Sequence, residues 1–268
     1  MLVKRLLVVN LLIPALVLLI VLGGWPYTLL ILFALVWAAW EYWRIFHDGG
    51  YSPALAVLAA GVISLVLGRV FWNFQYSDII LSVFVLVAMA AHVLRYERGQ
   101  PQAAADLGIT LGGILYLGWL GSYLISLRNL PNGIWWTLLV LPSVWLADSG
   151  AFLFGRRFGR HPLAPRVSPS KTWEGYLGGI LFGVAGTVLL AWLWQLRAAE
   201  VTPVKGLVIG LTLAVLTPLG DLGESMIKRQ FGLKDSGNVL PGHGGIMDRI
   251  DSWLWAAVIG YYLVIGLG

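Results

Sequence analysis

The chain has 268 residues, of which 59% are hydrophobic and only 12% charged, with a formal net charge of +5 and a mean hydropathy of +0.81. Soluble domains carry about 25% charged residues, so this composition excludes an ordinary soluble fold and calls for an all-α, polytopic integral membrane protein. The absence of cysteine excludes disulfides, thiolate metal sites and cysteine nucleophiles.

At roughly 20 residues per span the length allows eight to ten helices, with no internal repeat and no linker long enough to separate soluble domains. We therefore read residues 1–268 as one membrane domain. Lys4 and Arg5 precede an apolar run from Leu6 to Gly24 that is too long for a signal-peptide core and lacks a small-residue cleavage site, so it is read as the first span. Further apolar runs cover Tyr27 to Phe46, Pro53 to Phe71, Ile79 to Leu94, Asp106 to Leu127, Ile134 to Phe154, Trp173 to Leu196, Val204 to Leu222 and Ile250 to Leu267. The expectation is thus about nine transmembrane helices.

Loop charges orient them. Lys4, Arg5, Arg44, Arg95, Arg98, Arg156, Arg157, Arg160, Arg166, Lys171, Lys228, Arg229, Lys234 and Arg249 fall on the side of the N-terminus. Only Arg69, Arg128, Arg197 and Lys205 fall on the other. Cytoplasmic loops are enriched in Lys and Arg, which predicts a cytoplasmic N-terminus and puts both long polar segments, residues 155–172 and 223–249, on the cytoplasmic face.

Carboxylates gather at the same level. Asp148 stands near the end of the sixth span, Asp221 at the end of the eighth, and Asp248 and Asp251 at the start of the ninth. If the eighth helix continues, Glu224, Ser225 and Lys228 follow Asp221 at i+3, i+4 and i+7 on one face. Acids brought together at a membrane edge repel one another unless a cation lies between them, and hard oxygen donors suit Mg²⁺. The alternative is structural ion pairing with Lys228, Arg229 or Arg249.

In the other polar segment, Ser168 or Ser170 is a natural N-cap for the seventh helix, with Lys171 and Thr172 in its first turn. Free amides, hydroxyls and a lysine at a helix start make an anion site; a plain capped helix would use the same residues. Gly175, Gly179 and Gly183 recur every four residues and read as a helix-packing stripe. Trp25, Trp43, Trp72 and Trp173 read as interface anchors. His92 has no ligand-spaced partner and reads as a packed residue. Glu41, inside the second span, calls for a basic partner in the bundle that the sequence does not identify.

Between Ser225 and Asp251 the chain concentrates Lys228, Arg229, Lys234, Asp235, Gly237, Leu240, Pro241, His243, Gly244, Gly245, Asp248 and Arg249. Residues at this spacing resemble the signature of the phosphatidate cytidylyltransferases, or CDP-diacylglycerol synthases. Asp148 to Ala151, Gly155-Arg156 and Ser168 to Thr172 resemble the family's upstream motifs, so the resemblance covers about Trp145 to Asp251.

It implies Mg²⁺-dependent transfer from CTP to phosphatidate, giving CDP-diacylglycerol and diphosphate, at the cytoplasmic side of the cell's inner membrane. On that basis Asp221 and Asp248 are expected as principal metal ligands, with Asp148, Glu224 and Asp251 as further ligands or their supports, and with room for a second cation. Lys171, Lys228, Arg229, Lys234 and Arg249 are expected on the phosphates, helped by the hydroxyls of Ser168, Thr172 and Ser225. Asp235, His243, Gly244 and Gly245 are expected in a loop whose backbone amides approach a phosphate.

Residues 1–140 then serve as packing helices that leave room for homodimer contacts, and residues 141–268 supply the catalytic helices and loops. Membrane lipids are the expected surroundings, and nothing in the pattern calls for nucleic acid. An anionic-solute transporter would set its charges near the midplane, and other CTP-using lipid enzymes, such as a polyprenol kinase or an archaeal ether-lipid cytidylyltransferase, are the nearer rivals.

Overall fold

The computed structural model describes residues 13–237, 239 and 244–268. It is helical: α1 (Ile13–Leu22), α2 (Gly24–Asp48), α3 (Leu55–Trp72), α4 (Ser77–Glu97), α5 (Ala103–Gly113), α6 (Leu120–Arg128), α7 (Gly133–Phe158), α8 (Trp173–Gln195), α9 (Pro203–Leu216), α10 (Pro218–Gln230) and α11 (Met247–Gly266). A π-helical stretch, Ile114–Trp119, joins α5 to α6, and α9 passes into α10 at Thr217, where Pro218 lacks the N–H that would continue the ladder.

Among the described residues seven segments are long and apolar enough to cross a membrane: α2, α3, α4, α5 through α6, α7, α8, and α9 through α10. Two of the nine expected spans are not among these seven. The described part of α1 is shorter, its expected beginning lying outside the described residues, and α11 carries Asp248, Arg249 and Asp251 in its first turns. Large apolar side chains cover the outer faces, among them Leu86 and Val93 of α4 and Leu177, Leu181 and Leu189 of α8. Such surfaces suit hydrocarbon rather than water, and the chain is a polytopic helical membrane protein.

The chain forms two compact units, Met1–Ser126 with Gln230–Ile250, and Leu127–Arg229 with Asp251–Gly268. In the first, Tyr27, Ile31, Leu35, Ala38, Tyr42 and Ile45 form the buried stripe of α2 at helical spacing. Close approach is allowed by Gly61 against Ile114, Gly118 against Val62 and Gly121 against Leu35. The hydroxyls of Tyr27 and Tyr42 donate to the carbonyls of Leu124 and Ile109, each at 3.2 Å, so neither polar tip is left unmet in apolar surroundings. Phe231 packs edge-on against Phe46 and Tyr51, which seats the start of the polar segment at the end of α2.

In the second unit α8 packs on α7. Gly175, Gly179 and Gly183 face Ala151, Ala147 and their backbones, so the four-residue glycine stripe is a packing surface, as expected. The start of α8 differs from expectation. Residues Ser168–Thr172 form a strand, β2, antiparallel to β1 (Pro162–Ala164), with Pro162 opposite Thr172 and Ala164 opposite Ser168. The N-cap is Thr172, whose hydroxyl accepts from the Gly175 amide at 3.1 Å, and neither Ser168 nor Ser170 caps the helix. Pro169 biases Ser168 towards extended backbone, and strand pairing carries that conformation through Lys171. The lysine therefore precedes the helix rather than lying in its first turn.

Candidate functional site

The second unit holds a cavity of about 450 Å³ whose wall includes Asp148, Gly155 and Arg156 of α7, Ser170, Lys171 and Thr172 of β2, Gly175 and Tyr176 of α8, and Pro218 and Asp221 of α10. With Leu163 of β1, five elements thus converge on the cavity. On α7 the lining recurs at Asp148, Phe152 and Gly155-Arg156, one helical face over two turns. Arg156, counted from the sequence among the topology charges and placed in an upstream motif but given no role at the site, is part of this wall. Its spacing of eight residues from Asp148 is the signal that could have found it.

Lys171 forms an ion pair with Asp221 across the cavity wall. Ser225 donates to Asp221 Oδ1 at 3.2 Å, as the shared helical face predicts. One turn on, Lys228 Nζ pairs with Glu224 Oε1 at 3.0 Å, both side chains being almost wholly buried. Arg229 Nε donates to the Val167 carbonyl at 3.2 Å and so ties α10 to the β1–β2 turn. Asp251 accepts from the Ser252 amide at 2.6 Å and lies within electrostatic reach of Asp221, Lys228 and Asp148. The hairpin itself is held by Glu174, which accepts from the amides of Arg160 at 3.0 Å and His161 at 3.2 Å. Ser168 lies in β2 but is not part of the cavity wall.

The remaining expected residues belong to the first unit. Both oxygens of Asp248 accept from the Ser236 amide, at 3.2 and 3.0 Å, and Oδ2 also accepts from the Gly245 amide at 2.8 Å. Gly244 has φ +81°, and a Cβ there would meet Asp248 Oδ2. The Gly245 amide is thus engaged by the Asp248 carboxylate at the start of α11. Lys234, Asp235 and Arg249 are exposed. His243 lies outside the described residues.

Sequence reasoning also missed the partners of Glu41. Instead of a basic side chain, this fully buried carboxylate accepts from Ser236 Oγ at 3.0 Å and from the amides of Ile246 at 3.2 Å and Met247 at 2.8 Å. Only the cost of an unmet buried charge hinted that Glu41 has dedicated partners.

Chemically, the cavity offers two carboxylates, Asp148 and Asp221, beside two cations, Arg156 and Lys171. Among the described residues no three His, Cys, Asp or Glu side chains surround one point. A pair of carboxylates nevertheless suits Mg²⁺, which is commonly held by one or two of them and completes its shell with water and substrate phosphate oxygens. The donor set therefore fits that ion, and the cations fit the phosphates.

The cytidylyltransferase family profile matches residues 3–266. A phosphatidate cytidylyltransferase of Synechocystis sp. is 33% identical over 276 residues, covering 92% of this chain and 91% of its own. One from Bacillus subtilis is 43% identical over 158 residues, covering 58% of this chain and 57% of its own. Phosphatidate cytidylyltransferase 5, chloroplastic, of Arabidopsis thaliana is 32% identical over 277 residues, covering 90% of this chain and 66% of its own. The match extends over nearly the whole chain, including all the residues of both clusters, and the chain therefore belongs to the cytidylyltransferase family of membrane nucleotidyltransferases.

Proposed function

We propose that the chain catalyses CTP + phosphatidate → CDP-diacylglycerol + diphosphate with Mg²⁺, at the cytoplasmic face of the cell's inner membrane. The observation that carries the reading is one cavity wall holding Asp148, Arg156, Lys171 and Asp221 together, on a chain whose relatives bear the name phosphatidate cytidylyltransferase. Its volume of about 450 Å³ falls within the roughly 300–1,000 Å³ usual for small-molecule sites.

In the reaction a phosphate monoester oxygen of phosphatidate attacks the α-phosphorus of CTP. A new P–O bond forms there as the bond to the β-phosphoryl oxygen breaks, and diphosphate leaves. The attacking group is already an anion near neutral pH, so no general base is required, and positioning with charge stabilisation carries the rate. Arg156 and Lys171 would bind phosphate oxygens, while Thr172 holds the start of α8 and the hairpin orients Lys171. Asp221 and Asp148 would hold Mg²⁺, with Asp251 within electrostatic reach of both. When bound, the ion supplies neutralisation and polarisation of the triphosphate.

The motif also nominates Asp248 as a ligand, and Lys228, Arg229, Lys234 and Arg249 as phosphate contacts. These remain part of the proposal, as does the homodimer. Purified protein given labelled CTP with phosphatidate or with a polyprenol distinguishes the rivals. CDP-diacylglycerol and diphosphate should form only with phosphatidate, and chelation of divalent ions should stop turnover. Phosphorylated polyprenol as the product would refute the assignment.

A further inference from the structure

Three observations meet at Ser236. Its amide donates to Asp248, its hydroxyl donates to Glu41 Oε2 at 3.0 Å, and its carbonyl accepts from Arg44 Nη2 at 2.8 Å. The residue is only 1% exposed, so each of its polar groups is met by protein. Glu41 and Arg44 stand one turn apart on α2 and reach the same residue from one helix face. All of these contacts lie within the first unit.

The glycines of the segment fit the same arrangement. A Cβ at Gly237 would collide with the Glu41 carboxylate, and one at Gly245 would collide with both that carboxylate and Ser236 Oγ. A buried carboxylate is costly unless donors surround it, and among the described residues the donors to Glu41 come from the segment around Ser236 and Met247. Helix and segment therefore order one another.

We infer that Glu41 and Arg44 are positioning residues for the transfer reaction, holding Ser236 and, through its amide, the Asp248 carboxylate in the arrangement that turnover uses. This rests on the reading of the Ser225–Asp251 motif as part of the catalytic machinery. Their role is exerted through the loop, from a helix outside the motif.

The test uses the full chain, which has no native cysteine, with Val239→Cys carrying a nitroxide spin label; Val239 is 39% exposed. Glu41→Gln keeps the size but gives up one acceptor. It should mobilise the label and lower kcat by about 10–100-fold, the usual effect of removing a supporting partner, with KM for CTP changed less than about threefold. Should Glu41→Gln fail to fold, Ser236→Ala removes only the hydroxyl and should move both readouts in the same direction. An unchanged label spectrum overturns the inference, and so does a mobilised label with wild-type kcat. If Asp248→Asn turns over like wild type, the catalytic reading of the motif fails, and the label alone then decides whether Glu41 holds the loop.

Discussion

Asp221 is approached from two elements, by the Lys171 ammonium from β2 and by the Ser225 hydroxyl from one turn further along α10. Asn at this position keeps the shape and one acceptor but removes the charge that would hold a divalent ion against a triphosphate. Asp221→Asn should therefore lower kcat by on the order of 10³-fold, corresponding to about 4 kcal/mol of transition-state stabilisation, while the thermal midpoint in detergent stays close to that of wild type. Near-normal turnover in a stable variant would remove Asp221 from the metal site. This residue and its face mates Glu224, Ser225 and Lys228 were legible because helical spacing is local information. Glu41 was not. Its hydroxyl partner lies 195 residues away, and no local pattern reveals which distant amides a buried carboxylate will meet.

At the scale of elements, the apolar helices were readable because their length and hydropathy are set by the bilayer. The β1–β2 hairpin was not, since its eleven positions from Pro162 to Thr172 contain no alternating apolar run and its register depends on pairing. The consequence for the site is direct, as strand pairing carries Lys171 into the cavity wall. Thr172 then performs the capping that the serines were expected to do. Thr172→Ala should destabilise by about 0.5–2 kcal/mol, typical of a lost N-cap, and lower Tm by about 2–4 °C per kcal/mol in a chain of this size. Thr172→Ser, which keeps the hydroxyl, should restore the midpoint. An unchanged Tm in Thr172→Ala would mean that the cap carries no stability.

For the whole molecule, the asymmetry of Lys and Arg argues for a cytoplasmic polar face, but labelling has to be done where a thiol can be reached. Ser236 is buried, whereas Val239 in the same segment is exposed. Val239→Cys should react with an impermeant thiol reagent only after the inner side of the membrane is opened. Reaction in intact cells would invert the proposed orientation. Residues 225–251 read as one continuous motif, yet Arg229 and Asp251 fall in one compact unit and Gln230–Ile250 in the other. Sequence contiguity concealed that division, because assignment to a unit depends on packing rather than on order along the chain.

The Lys171–Asp221 pair carries one more consequence. The carboxylate already has a tethered counter-ion before any ligand arrives, so a free divalent ion must compete with a resident ammonium for the same oxygens. An ion delivered on a triphosphate meets less opposition, since the phosphates offer Lys171 a new partner. Binding should therefore be ordered by charge exchange, with the metal and nucleotide entering together. Mg²⁺ alone should raise Tm little and Mg²⁺ with CTP clearly more, by ligand linkage. In Lys171→Met, where the competitor is gone, Mg²⁺ alone should become stabilising. Equal shifts from Mg²⁺ alone in both proteins would show that the ammonium does not contest the site.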